Sequence, residues 1–221
     1  SSRSQRGDTI RIGRRGSLTA TVTITGKGGH VAYPDQVDNP AHRLSLFLAE
    51  LATRTWDGGT DDFPATSFQV TCLNTDTATS NMVPTTATAQ FNLRYSPAST
   101  HTDLIDRIEA IAHRYSAENK IALAWHLSAE PFSSRPGPLR DAITHAVRSI
   151  CAIEPAANTA GGTSDGRFIA PLGAEVVELG PVNASIHQAN ECIDIAELDA
   201  LSSLYEATLL RLAAVAHEQD Q

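Results

Sequence analysis

Residues 17–26 read SLTATVTITG. Leu18, Ala20, Val22 and Ile24 alternate with Thr19, Thr21, Thr23 and Thr25. That period of two demands a strand with one buried face. The segments that follow supply what must cover it. DNPAHRLSLFLAELATRTW predicts a helix that Asn39 caps and Pro40 opens, with Leu44, Phe47, Leu48 and Leu51 on one face. TSFQVTCLNT (66–75) and TTATAQFNLRYS (85–96) predict two strands. THTDLIDRIEAIAHRYSAEN predicts a second helix, with Leu104, Ile105, Ile108, Ile111 and Tyr115 inward, and IALAWHLSA (121–129) a fourth strand. The order β-α-β-β-α-β is the ferredoxin-like split βαβ pattern, an antiparallel sheet with two helices on one face. It is expected over residues 17–130.

Either side of that domain the composition changes. Residues 1–16 are polar and basic, and are expected to form a linker or an ordered loop rather than a core element. EPFSSRPGPLR (130–140) marks a second boundary. Residues 131–221 then read helix, glycine-rich loop, short helix, an apolar strand AEVVELG, a loop and a long amphipathic helix. One short strand does not make a sheet alone. This unit therefore reads as part of a larger α/β domain, expected to expose apolar surface unless further strands cover it.

The charge balance is 17 Lys and Arg against 25 Asp and Glu, or −8. Such a chain is a poor general binder of nucleic acid, which needs clustered cations. No apolar run has the length of a membrane span. Cys72, Cys151 and Cys192 are odd in number and widely spaced, so they are expected to be buried thiols in a reducing, cytoplasmic compartment.

Several residues can carry chemistry. His187 stands in the loop GPVNASIHQANECI after the apolar strand, where α/β domains place their sites. It is either a loop histidine held by backbone hydrogen bonds, or a metal ligand or general base. AGGTSDGRF (160–168) combines glycines that admit a close ligand with Thr163, Ser164 and Arg167; it reads as an anion loop or as a tight turn capped by Ser164 or Asp165. His30 in GKGGHVAYP is either an exposed turn histidine or a group that polarises a carbonyl. Arg14, Arg15, Asn81 and Arg94 are each either solvated or ligand-binding. The other histidines, His42, His101, His113, His126, His145 and His217, read as surface or satisfied groups.

GRRGSL, GKGGHVAYP with NP after it, TSNMVP, FNLRYS, GGTSDGRFIA and ELGPVNASIHQANE occur here in that order. Together they resemble the succinyl-diaminopimelate desuccinylase family, within the dizinc amidohydrolases and carboxypeptidases, over essentially the whole chain. The resemblance implies a ferredoxin-like dimerisation domain followed by the C-terminal part of a zinc-peptidase-like α/β catalytic domain. It implies hydrolysis of N-succinyl-LL-2,6-diaminopimelate to succinate and LL-diaminopimelate with two zinc ions per active site. His187 then matches a zinc ligand, and His30 the catalytic histidine that reaches the partner subunit's site. Arg14, Tyr33, Asn81, Arg94, Thr163 and Asn183 match positions lining the substrate pocket, and Ser164 and Arg167 lie in the same loop. The family's other zinc ligands and its general-base glutamate match nothing here and are expected upstream of Ser1. The polypeptide alone is thus expected to bind zinc weakly and to turn over nothing. The expected partners are a second copy, through the ferredoxin-like domain, and a small dicarboxylate, with no nucleic acid and no membrane. A near alternative is acetylornithine deacetylase or another N-acyl amino acid hydrolase. An alternative of another class is a non-catalytic dimerisation module.

Overall fold

The computed structural model describes residues 5–116, 120–182 and 184–219. In chain order the elements are β1 (Thr9–Arg11), β2 (Gly13–Arg14), β3 (Gly16–Thr25), β4 (Gly29–His30), α1 (Pro40–Thr53), β5 (Ser67–Thr75), β6 (Met82–Val83), β7 (Thr86–Tyr95), α2 (His101–Tyr115), β8 (Ile121–Ala129), β9 (Phe132–Ser133), α3 (Pro138–Cys151), β10 (Ala156–Asn158), α4 (Gly166–Ile169) and α5 (Ile195–Gln219). They form two compact units: residues 15–131, and residues 1–14 together with 132–221.

In the first unit β3 lies between β7 and β8, and β5 closes the far edge, giving the order β5-β7-β3-β8 with every pairing antiparallel. That is the ferredoxin-like order the pattern predicts. Leu18, Ala20, Val22 and Ile24 are fully buried beside Ala87, Phe91 and Leu93 of β7. Leu44, Phe47 and Leu51 of α1 and Leu104 and Ile108 of α2 pack on them. The opposite face is polar: Asn92 Nδ2 donates to Thr19 Oγ1 at 2.9 Å and to Ser17 Oγ at 3.1 Å. Asn39 Oδ1 accepts from Ala41 N and opens α1. Thr100 Oγ1 accepts from Asp103 N and does the same for α2. These caps satisfy amides that have no partner inside the helix.

In the second unit β1 pairs in parallel with β10, and β2 antiparallel with β9. α3 and α5 pack together over Ile10, Ile12, Val147 and Leu204. Three expectations change here. Residues 1–16 are not a linker throughout: Thr9–Arg11 is a strand, and Ile10 and Ile12 are each 1% exposed. A side chain that leaves water so completely contributes to stability whatever the charge of its neighbours. AEVVELG is not a strand, because its backbone is held at single points. Glu178 exchanges two hydrogen bonds with Arg11, each 2.9 Å, and Val176 N donates to Ser134 Oγ at 2.6 Å. Finally, Cys72 and Cys192 are exposed rather than buried. Among the described residues no helix is long and apolar enough to cross a membrane.

The placement of Ile10 is testable. Ile10→Ala is expected to cost about 2–5 kcal/mol, as for other buried isoleucines. Chemical denaturation reads it, and a change within about 0.5 kcal/mol, normal for an exposed linker residue, would contradict the buried strand.

Candidate functional site

In the unit of residues 15–131, three of the residues named by the sequence come together beyond the end of β3. β4 pairs with β6, Gly29 opposite Val83 and His30 opposite Met82. Val31 N donates to the Asn81 carbonyl at 3.0 Å. This close approach needs Gly28, whose added Cβ would stand 2.9 Å from the Val83 carbonyl oxygen and 2.8 Å from Thr85 Cγ2. His30 therefore sits on a short ladder rather than in a free loop. Its Nδ1 accepts a hydrogen bond from Ala32 N at 3.1 Å. An acceptor nitrogen carries no proton in the neutral ring, so the proton is on Nε2. The Tyr33 ring lies 5.9 Å from the imidazole, tilted by 58°. Both rings are exposed.

Arg94 stands on the four-stranded sheet, to which β4 and β6 do not belong. It is in register with Ser17 and Ser67 at the end of β7 remote from Thr86. Eight residue steps separate Arg94 from Thr86, about 27 Å along an antiparallel strand. His30 belongs to the Thr86 end, where Gly26 N donates to the Thr85 carbonyl. Arg15 accompanies Arg94. Burial, and then the charge of Arg94, hold the Arg15 guanidinium below its usual proton affinity. Arg15 Nη1 reaches Ser67 Oγ at 3.4 Å, while its buried Nε has no hydrogen-bond partner among the described residues. Two adjacent guanidiniums and an orphan N–H together suit an anion.

In the second unit Arg14 and Ser164 meet on one carboxylate. Arg14 Nε donates to Glu178 Oε2 at 3.0 Å, Nη2 donates to the same oxygen, and Nη1 donates to the Ala160 carbonyl at 2.9 Å. Ser164 Oγ donates to Glu178 Oε1. Burial raises the Glu178 carboxyl, but the bonds from Arg14 and Ser164 outweigh it and leave the group below the usual carboxylate range. Gly161, at φ +104°, lets the loop pass: a Cβ there would lie 2.4 Å from Arg14 Nη1. Arg167 does not join them. Its guanidinium lies over the Phe168 ring, 4.6 Å from the centroid. Thr163 is half-buried beside Ser164, and neither the Ser164 nor the Asp165 side chain caps α4. Glu178 is the residue the sequence reading passed over. Its signal was an acid between Val177 and Leu179, since a carboxylate in an apolar run calls for a cation.

His187 is exposed in a turn whose ends are tied by Ser185 Oγ, which accepts from Cys192 N at 3.1 Å and donates to the Cys192 carbonyl at 2.9 Å. His187 holds φ +61° and Asn190 φ +63°. For histidine that left-handed backbone costs about 1–2 kcal/mol. Asn183 lies outside the described residues. Among the described residues no group of three or more His, Cys, Asp or Glu could hold a metal ion. The donor set present therefore does not fit a zinc centre by itself.

Residues 12–120 match the peptidase dimerisation domain family. The chain is 47% identical, over 98% of its length, to a succinyl-diaminopimelate desuccinylase from Halorhodospira halophila, and covers 57% of that protein. It is 49% identical over 94% of its length to a desuccinylase of the same name from Pseudomonas syringae pv. syringae, covering 54%. The chain thus spans about half the length of the curated relatives it matches. Its fold is similar to that of aminopeptidase PepT from Bacillus cereus, with a TM-score of 0.79 at 16% identity, over 96% of this chain and 56% of the other. Identity near one half across almost every residue, joined to the dimerisation-domain match, places the chain in the succinyl-diaminopimelate desuccinylase family.

Proposed function

We propose that the chain takes part in zinc-dependent hydrolysis of the amide of N-succinyl-LL-2,6-diaminopimelate, giving succinate and LL-diaminopimelate in the cytoplasm. The names of its relatives support the substrate. The observation that carries the reading is the imidazole of His30, whose tautomer Ala32 N–H fixes so that Nε2–H remains as a donor. Aimed at a scissile carbonyl, that N–H stabilises the oxygen as it gains charge, and it needs no rearrangement to do so. Tyr33 and Asn81, on the same ladder, line the approach to it. Arg94 with Arg15 receives a carboxylate. Arg14, Thr163 and Asn183, with Ser164 and Arg167 in the same loop, serve the substrate's other polar groups.

β7 runs about 27 Å from Thr86 to Arg94, and His30 lies towards the Thr86 end; that spacing supports the reading that His30 and Arg94 do not meet one small substrate within one copy. A homodimer through residues 17–130 resolves this, with His30 serving the partner's site; the dimerisation-domain match supports it. His187 would be one ligand of the metal centre. Zinc would supply an activated water and a polarised carbonyl. The remaining donors would lie outside these 221 residues. The exposed Phe168, Leu172 and Ile195 support a further segment against this unit.

Two results are expected. The 221-residue chain with zinc shows no turnover, whereas a polypeptide of its relatives' length cleaves the N-succinyl substrate about 10⁴-fold better than its N-acetyl analogue, by kcat/KM, the scale on which a site built for a polar group rejects its absence. Robust turnover by the short chain, or no preference by the long one, overturns the reading. In the active enzyme, His30→Ala is expected to lower kcat by about 10²–10³-fold with KM little changed, as for loss of an oxyanion donor. Unchanged kcat removes His30 from the chemistry.

A further inference from the structure

We propose that Glu178 is a positioning residue for carboxylate recognition: it fixes the plane of Arg14 and the course of the 160–164 loop before any ligand arrives. The claim rests on the functional reading above for the ligand, but on local geometry for the device. An arginine has five N–H groups in a rigid fork. Three of Arg14's are engaged: Nε and Nη2 on Glu178 Oε2, and Nη1 on the Ala160 carbonyl. One N–H on each terminal nitrogen is left outside these bonds, and each can donate to an oxygen of a ligand carboxylate. The other oxygen of Glu178 accepts from Ser164 Oγ. The Glu178 carboxylate therefore ties the guanidinium to Ser164 at one end of the loop, while Arg14 itself reaches Ala160 at the other.

Glu178 is itself well placed to do this. Its backbone exchanges two hydrogen bonds with Arg11, three residues before Arg14. The backbone just upstream of Arg14 and the residue that orients it are thus held together. Gly161 completes the arrangement, since any side chain there would strike Arg14 Nη1. A long flexible cation loses rotamer freedom when it grips a ligand; here that freedom is given up on folding, so less is lost on binding.

The opposite role makes the opposite prediction. If Glu178 merely competed with the substrate for Arg14, removing its charge would tighten binding. If it positions Arg14, removing it loosens the site although a repelling negative charge has gone. In the active enzyme Glu178→Gln is expected to raise KM for the N-succinyl substrate by about 10-fold or more, the lower end of what outer-shell partners cost, with kcat within about threefold. Arg14 Nε–H, followed by ¹⁵N NMR in the 221-residue chain, is expected to exchange with water several-fold faster in the variant than in the wild type. A KM that falls or stays within twofold, or an Nε–H whose exchange is unchanged, overturns the proposal. Should the wild-type enzyme not hydrolyse the succinylated substrate, the functional reading fails while the NMR measurement still decides whether Glu178 holds Arg14. Should Glu178→Gln not fold, Glu178→Asp keeps the charge and shortens the reach by one methylene; it is expected to raise KM and Nε–H exchange in the same sense, and no change in either overturns the proposal.

Discussion

β3 is hydrogen-bonded along both edges, to β7 on one side and β8 on the other. A strand so placed has no freedom of register. Shifting it by one residue would carry Leu18, Ala20, Val22 and Ile24 out to the polar face and bring four threonines beneath the helices. Everything functional in the first unit inherits its position from that constraint. Arg15 precedes one end of β3, and the glycines leading to His30 follow the other. The length of the strand is what keeps the imidazole and the Arg15–Arg94 pair apart, so the case for two copies acting together begins with a count of residues in a sheet.

The sheet and its helices were legible because their side chains obey one period over eight or more positions. β3, β5, β7 and β8 fall within a residue or two of where alternation puts them, and α1 and α2 begin as closely but end three and four residues sooner than the segments read as helical. Shorter or mixed signals misled. Ile10 and Ile12 alternate with Arg11 over only a few residues among several arginines, so local charge masked a buried strand. AEVVELG has the composition of a strand, yet its amides found a serine hydroxyl and a single bridge instead of a ladder. Composition records what a segment can pair with and not whether a partner is at hand.

The candidate residues show the same division. Asn81 lies about fifty positions from His30 and Tyr33, but the β4–β6 pairing unites them. Arg14 and Ser164 are 150 positions apart, and what joins them is an acid that no motif marked. Side chains that touch ligands can be named from type and spacing. Those that hold them in place depend on which backbone passes nearby, and that appears only once the chain is folded.

The β2–β9 pairing has a further consequence. Gly13 faces Ser133 and Arg14 faces Phe132, so the polypeptide departs for the ferredoxin-like unit and returns from it about 5 Å apart, one antiparallel rung. A module whose ends meet so closely behaves as a cassette. A two-residue hairpin turn would seal the gap left by its excision, and a host protein could gain the module by grafting it into any tight hairpin. Self-association, on this architecture, is a property that evolution can insert or delete whole.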